Sequence, residues 1–154
     1  MRRIAAGVAA GIAAVSLALT LGACAGVPAA QAHPAARAVV ALLDARAARS
    51  TDAKAYQPYV SESAIATELA SAASESASGS PIPQWRPPYV SSLATSTADV
   101  VVVWVPSKTF ARWPAATDFK MERHGGGWVV VDAVTIEAGE LPKPLATVGD
   151  TPAR

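Results

Sequence analysis

The sequence predicts an α+β domain in which N-terminal helices pack on an antiparallel sheet. Residues 34–70 repeat their apolar side chains at a helical period of about 3.6, whereas residues 85–136 contain short valine-rich and aromatic runs separated by glycine, proline and serine. Runs of β-branched and aromatic residues are typical of strands. Because all the predicted helices precede the strands, the order indicates an α+β arrangement and not an alternating α/β one.

The first predicted helix of this domain begins at Pro34, since proline is well tolerated at the first position of a helix. Beyond it, Val39, Leu42 and Leu43 fall on one face, and charged residues such as Arg46 fall on the other. This amphipathic pattern predicts a helix that buries one side and ends near Ser50.

Two further helices are predicted from their capping residues. Asp52 is placed to cap a short helix that ends at Tyr56, and Ser61 is placed to cap the next one. Residues 71–83 are poor in large apolar side chains and rich in serine, alanine, glycine and proline. They are predicted to form the end of the last helix and a loop.

Residues 85–105 predict strands, and the sequence pattern is weaker at the start of this region than at its end. Residues 85–90 contain two adjacent prolines, which predicts an edge or crossing segment. Residues 91–96 are predicted to form a strand, and residues 97–99 a turn. Residues 100–105 are apolar without alternation, which predicts a strand that is buried on both faces.

The last two strands form a predicted hairpin. Residues 119–123 alternate apolar with charged side chains, residues 124–127 read His-Gly-Gly-Gly, and residues 128–136 return as a second strand. Glycines supply the positive φ angles of a tight turn. The same four residues match the oxyanion-hole string of some lipases, but the chain has no Gly-x-Ser-x-Gly motif, so a turn is the preferred interpretation.

The N-terminus has the organisation of an export signal. Arg2 and Arg3 precede an uncharged run over residues 4–21, which ends in Leu21-Gly22-Ala23-Cys24. An uncleaved transmembrane anchor is the alternative, because a run of 18 residues lies at the lower limit for spanning a bilayer.

The last four residues of this region resemble the lipobox of bacterial lipoproteins. The resemblance implies cleavage between Ala23 and Cys24, with lipid attached to the Cys24 thiol and the protein held at the extracytoplasmic face of the cell membrane. The membrane is thus a predicted partner, through the lipid on Cys24. The predicted organisation is a signal peptide (1–23), a tether (24–33), a domain (34–137) and a solvated, proline-containing tail (138–154).

Composition excludes several classes of function. Loss of Arg2 and Arg3 from the 13 basic residues leaves 11 against 12 acidic residues, which gives no electrostatic basis for binding nucleic acid. A single cysteine cannot form an intramolecular disulfide. His33 and His124 lie far apart in the sequence and do not form a metal-ligand set with a lipidated cysteine. Neither a metal nor a cofactor is predicted.

The domain resembles the nuclear transport factor two-like superfamily, and in particular actinobacterial lipoproteins that use this cone-shaped fold. The resemblance rests on Ala-Leu-Leu-Asp-Ala-Arg at 41–46, on Tyr-x-Pro-Tyr-Val-Ser at 56–61, and on Phe-x-Met-x-Arg-x-Gly-Gly-Gly-Trp-Val-Val-Val-Asp at 119–132. It covers residues 34–137. It implies a curved sheet wrapped against the helices around a concave pocket, which different members use for catalysis or for binding.

Aromatic residues provide the candidate site. An aromatic-lined pocket with few polar groups suits a small apolar ligand, although core packing also accounts for such residues. The candidate pocket residues are Tyr56, Tyr59, Trp85, Trp104, Trp128 and Asp132. The segment around Trp113 is a candidate partner-binding loop.

Three functions follow, in order of preference. The first is a membrane-anchored, non-catalytic accessory or binding domain that supports an envelope protein complex. The second is binding of a small apolar ligand in the aromatic pocket. The third is an isomerase or cyclase that uses Asp99 or Asp132 with Tyr56 or Tyr59. No residue is assigned a catalytic role in the preferred hypothesis.

Overall fold

A computed structural model of the chain describes residues 27–110 and 114–146. The predicted signal peptide, its cleavage site between Ala23 and Cys24, and Trp113 of the candidate loop lie outside these ranges. Within them, no helix combines the length and the hydropathy needed to cross a lipid bilayer.

Helices come first and strands follow, so the predicted α+β class is confirmed. The helices are α1 (Val27–Ala32), α2 (Pro34–Ala47), a 3-10 turn (Ala53–Ala55) and α3 (Glu62–Ser78). The strands are β1 (Tyr89–Leu93), β2 (Thr97–Val103), β3 (Ala116–His124) and β4 (Gly127–Ile136). They form an open antiparallel sheet in the order β1-β2-β3-β4.

Helix α2 begins and packs as predicted. His33 precedes it, and its Nδ1 accepts a hydrogen bond from the Ala35 backbone N–H at 3.2 Å. Proline at the first position needs no hydrogen-bond partner for its nitrogen. The helix buries the predicted apolar face, including Val39, Leu42 and Leu43, against the sheet and α3.

The two following helices begin at the predicted residues, and the second ends within residues 71–83 as predicted. Asp52 Oδ1 accepts from the Lys54 backbone N–H at 2.9 Å and caps the 3-10 turn. Ser61 occupies the position before α3, although its side chain makes no capping bond. Helix α3 continues to Ser78, because alanine favours helix even where large apolar residues are lacking, and a loop follows it. Gly79, with φ of 62°, ends it.

The predicted turn at residues 97–99 is wrong. These residues begin β2 and pair with β3, from Thr97 opposite Glu122 onward. The turn lies just before them, where the Ala94 backbone N–H bonds the Thr97 carbonyl at 2.8 Å. With the β1–β2 turn at residues 94–97, Ala98 and Asp99 pair in register with β3. The start of β2 is therefore set by its pairing with a strand distant in sequence.

The strongest predicted strand, residues 100–105, is confirmed as buried on both faces only over its first three residues, since residues 103–105 are half-buried and β2 ends at Val103. Val100 and Val102 face α2 within the main core, whereas Val101 faces the other side and packs with Ala116 and Ile136. All three valines are fully buried. The β3–β4 turn is also confirmed, with positive φ angles of 56° and 93° at its two central glycines.

The predicted tether over residues 24–33 is wrong in its described part. Residues 27–32 form α1, which lies against β1, and Ala30 is fully buried. His33 is also buried, and its ring meets the Trp128 ring edge-on at a centroid distance of 5.6 Å. Small alanine side chains let this short helix approach the sheet closely, so the folded domain begins before Pro34.

The predicted solvated tail is likewise wrong in its described part. Tyr89 Oη donates to the Pro142 carbonyl at 2.8 Å, and the Leu145 backbone N–H donates to the Val90 carbonyl at 3.0 Å. The Leu145 side chain packs against the main core. The segment therefore covers the outer edge of β1, which satisfies backbone groups that an edge strand leaves open. Residues 147–154 lie outside the described ranges.

Candidate ligand-binding cleft

A cleft of about 660 Å³ separates the helices from the C-terminal end of β2. Its walls are the last turns of α2, the middle of α3, the segment 80–85 and the segment 104–110. Volumes of this size are typical of sites for small organic ligands. Its outer wall is mainly aromatic and aliphatic, whereas most of the lining residues on α2 and α3 are polar: Arg46, Thr67, Glu68, Ser71 and Glu75.

Two tryptophans form the outer wall. Trp85 and Trp104 pair through an isolated antiparallel bridge, and their rings meet edge-on with centroids 6.5 Å apart. Trp104 Nε1 donates to Thr117 Oγ1 at 3.0 Å, which fixes the orientation of its ring. Because both side chains are only partly buried, they present apolar surface that a ligand can cover.

An ion pair forms the polar part of the cleft. Arg46 of α2 binds Glu68 of α3 through two parallel hydrogen bonds, of which Nε–Oε2 measures 2.8 Å. The Arg46 guanidinium also lies 5.8 Å from the centroid of the Phe119 ring. The pair joins the two helices and neutralises both charges, which leaves the cleft without an unpaired charge at this point.

Tyr56 closes the inner side of the cleft. The side chain is fully buried, and its hydroxyl lies 3.0 Å from the Ser50 carbonyl and 3.3 Å from the Ala45 carbonyl. Burial, and secondarily the Glu68 carboxylate, raises the pKa of Tyr56 above its ordinary value. The hydroxyl therefore stays protonated at neutral pH and connects the end of α2 to the following loop.

The structure brings together only part of the predicted pocket. Tyr56, Trp85 and Trp104 line the cleft. Tyr59 lies elsewhere, where its carbonyl accepts from the Val130 backbone N–H at 2.8 Å. Trp128 is buried in the main core against His33.

The two aspartates of the isomerase hypothesis do not reach the cleft. Asp99 and Asp132 flank Lys120 on neighbouring strands, on the sheet face that also carries Val101. That face is opposite the helices and the cleft. Neither aspartate therefore lines the cleft beside Tyr56.

Most lining residues were not predicted from the sequence, among them Arg46, Glu68 and Phe110. Arg46 was expected on the solvent face of α2, whereas it is half-buried and paired with Glu68 across 22 positions of sequence. Phe110 reaches the cleft from the segment after β2. No spacing rule connects these residues, because α2, α3 and the segment after β2 meet only in the tertiary fold.

A separate charged cluster lies on the opposite sheet face. Lys120 Nζ contacts Asp118 Oδ2 at 2.7 Å and Asp99 Oδ2 at 3.1 Å. Asp118 is buried, and its Oδ1 has no hydrogen-bond partner among the described residues. The hydrogen bond to Asp118, with a smaller contribution from Asp99, raises the pKa of Lys120 although partial burial opposes this. No group of three metal-binding side chains occurs in the described ranges.

The cluster predicts a stability effect that depends on pH. Lys120→Met is expected to cost about 1–3 kcal/mol at neutral pH, because it leaves the buried Asp118 carboxylate without its partner. Because the pKa of Lys120 is higher in the folded protein than in the unfolded chain, the charged lysine stabilises the fold fully below the unfolded-state pKa of about 10.4. This stabilisation is lost as the pH rises through the folded-state pKa.

The measurement is the free energy of unfolding from pH 7 to pH 12. Burial also raises the pKa values of Tyr56 and Tyr89. Their contribution to the free energy of unfolding therefore falls over the same alkaline range. The relevant quantity is therefore the difference between Lys120→Met and the parent protein, which should shrink above about pH 10.4. Lys54→Met, at an exposed position, is the matched control. Equal losses for the two variants would contradict the prediction.

A second depression runs along the outer face of α3, lined by residues between Ala66 and Glu75. It is bounded by this one helix and brings no groups from other elements together. The cleft is therefore the stronger candidate site.

Comparison with known proteins gives no relative from which to transfer a function. No protein-family model, curated protein or solved structure matches the chain.

Proposed function

We propose that this protein is a lipid-anchored extracytoplasmic binding domain, without catalysis, whose cleft takes a small apolar ligand. The observation that carries the proposal is the cleft lined by Trp85, Trp104 and Tyr56. The proposal combines the first two predicted functions: a membrane-anchored binding domain, and a pocket that binds a small apolar ligand.

The lipid anchor is supported by the sequence Leu21-Gly22-Ala23-Cys24. Stable anchoring needs two or more acyl chains, which a diacylglyceryl group on Cys24 supplies. We also propose the nuclear transport factor two-like fold. Its support is the packing of α2 on one face of an antiparallel sheet, with α3 beside α2 and a cleft lined by both helices and the end of β2.

The chemistry of the cleft favours a ligand with substantial apolar or aromatic surface. Trp85, Trp104 and Phe110 offer apolar contact area, and such burial drives binding at about 25 cal/mol per Å² before the costs of association. The Arg46–Glu68 pair already satisfies its own hydrogen bonds. A ligand therefore gains little from a full charge at that pair and most from filling the space beside the tryptophans.

The anchor is tested by Cys24→Ala. We expect the parent protein to incorporate labelled palmitate and to lose its leader. The variant should incorporate none and should keep the leader, because the lipoprotein peptidase cuts only before a lipidated cysteine. Gel mobility, palmitate labelling and intact mass provide the measurement. An unlabelled parent, or a variant of unchanged mobility, would refute lipidation.

The cleft is tested by filling it. Ala47 lines the cleft, whereas its neighbour Ala48 is exposed to solvent and does not. Ala47→Trp is expected to weaken binding of the neutral probe N-phenyl-1-naphthylamine by about tenfold or more, since a bulky side chain occupies the space that the ligand needs.

The measurement is probe fluorescence with residues 25–154, and Ala48→Trp is the control. Thermal unfolding followed by circular dichroism shows whether both variants remain folded. Absence of probe binding to the parent, or equal binding by both variants, would contradict ligand binding in the cleft.

Support of an envelope protein complex is the second candidate function, and strand β4 favours it. Among the described residues, its outer edge is paired only at Val130, by a bridge to Val60. Val131 and Val134 beyond this bridge are each 46% exposed. An open strand edge can pair with an extended segment of a partner. Cross-linking in intact cells from a photoreactive residue at Val134, with Ser74 as control, tests this function.

A further inference from the structure

The outer edge of β4 has a covered part and an open part. The Val130 backbone N–H donates to the Tyr59 carbonyl at 2.8 Å, and the bridge between Val60 and Val130 covers the edge at this point. Residues 131–135 follow, and every one of them is exposed. We name residues 131–135 the open edge. Solvent reaches this part of the strand on both faces as well as along its side.

Backbone groups of the open edge point away from the sheet at alternate residues. In an antiparallel pair, every second residue directs its N–H and C=O away from the neighbouring strand. Ala133 is such a residue, because its N–H donates to the Asp132 side-chain Oδ1 at 2.8 Å. Thr135 lies two positions later in unbroken register with β3, so its N–H and C=O point the same way.

These outward groups form a template for one more strand. An added segment can accept a hydrogen bond from the Thr135 N–H and donate to the carbonyls of Ala133 and Thr135, as extended peptides do at open sheet edges. Val131 has no partner residue on β3, so a bulge separates the template from the covered part of the edge. Strand addition is therefore confined to the residues after the bulge.

The charge of the open edge is negative and is not compensated. Asp132 is exposed and forms no ion pair with another described residue. Lys120 lies opposite it on β3, but the lysine ammonium contacts two other aspartates of the sheet. Glu137 extends the negative charge beyond the end of β4, and the sequence has no basic residue from Gly127 to Pro142. A basic side chain on an added strand would therefore meet an unpaired carboxylate.

A second copy of this chain fits the open edge poorly. Its own β4 would bring Asp132 and Glu137 again and no basic residue to pair with them. Like charges on adjacent strands destabilise their pairing, whereas opposite charges stabilise it. The charges therefore favour a different protein, with a basic residue in the segment that pairs.

We infer that the open edge of β4 binds an extended segment of another protein, which adds as a strand and places a lysine or arginine beside Asp132. In the unbound protein, the Asp132 carboxylate accepts from the Ala133 N–H. A carbonyl of the partner takes over that N–H, and the released carboxylate pairs with the partner's basic side chain. The inference rests on the second candidate function, support of an envelope protein complex, and specifies the chemistry of the partner.

The test uses the peptide Thr-Val-Thr-Lys-Thr-Val-Thr, acetylated and amidated at its ends. Its sequence is the same in both directions, so it can place lysine beside Asp132 and valine beside Val134 in a parallel or an antiparallel arrangement. A matched peptide has glutamate in place of lysine. Titration of nitrogen-15-labelled residues 25–154, followed by the backbone amide resonances, measures both the site and the affinity.

We expect the lysine peptide to shift the Ala133 and Thr135 amides and to bind at least about fivefold more tightly than the glutamate peptide. Asp132→Asn should remove this preference, whereas Asp44→Asn, at an exposed position on α2, should keep it. Thr135→Pro should weaken binding of both peptides by about tenfold or more. Proline removes the outward N–H at no cost in bonds to β3, because that N–H points away from β3. Circular dichroism shows whether the variants remain folded.

The outcomes separate this inference from the function on which it rests. Amide shifts elsewhere in the chain, or none with either peptide, would overturn strand addition at the open edge. Equal affinity of the two peptides would overturn only the basic partner. The second candidate function fails by a different result, the lack of a cross-link from Val134 in intact cells.

Discussion

Phe119→Ala is expected to lower the free energy of unfolding by about 3–5 kcal/mol, because it removes a large side chain from the centre of the core. Phe119 is 1% exposed and packs in the main cluster with residues from α2 and from the neighbouring strands. It also supports the Arg46 guanidinium on its ring. A small domain has a stability of about 5–15 kcal/mol, so this one substitution removes a large share of it.

Chemical denaturation of residues 25–154, followed by circular dichroism, measures the loss. Val134→Ala is the matched control, because Val134 lies on the adjacent strand β4 but is 46% exposed. It should change stability by less than about 0.5 kcal/mol. Similar losses for both variants would mean that Phe119 is not at the centre of the core.

Arg46→Met is expected to cost about 1–3 kcal/mol, because it leaves the Glu68 carboxylate without its partner. The Glu68 side chain is 13% exposed, so water replaces the lost hydrogen bonds poorly. Arg46 is 37% exposed, which allows solvent to screen the pair and keeps the cost below that of a fully buried ion pair.

A double-mutant cycle with Glu68→Met isolates the interaction. The double variant should recover much of the loss, since two apolar side chains replace the pair and no charge stays unpaired. Arg37→Met, an exposed position on the same helix, should change stability by less than about 0.5 kcal/mol. An additive double variant would show that the pair does not stabilise the contact between α2 and α3.

The elements that the sequence predicted correctly are those whose structure depends on residues close together in the chain. Pro34 and Asp52 start helices through their own backbone and side-chain chemistry, and two glycines form the β3–β4 turn through positive φ angles. The apolar run at 100–105 predicted burial on both faces, and residues 100–102 are buried on both. Each of these predictions depends on residues within a few positions of one another.

The errors share a different cause. The turn before β2 was misplaced because its position depends on pairing with β3. The segments 27–32 and 142–145 were expected to be solvated, yet they pack on β1, a contact that their own composition does not specify. Only some of the predicted pocket residues line the cleft, because aromatic residues pack equally well in a core and in a cleft wall. Trp128 took the first role, and Trp104 took the second.

By itself, the sequence determined the order of helices and strands, the capped helix starts, the glycine turn and the prediction of a lipid anchor at Cys24, because each is encoded over a short span of chain. Only the tertiary structure decided which aromatic residues line a cleft and that Arg46 meets Glu68 there. Those properties depend on how distant segments pack, and burial energy is nearly indifferent to which apolar residue fills a given space.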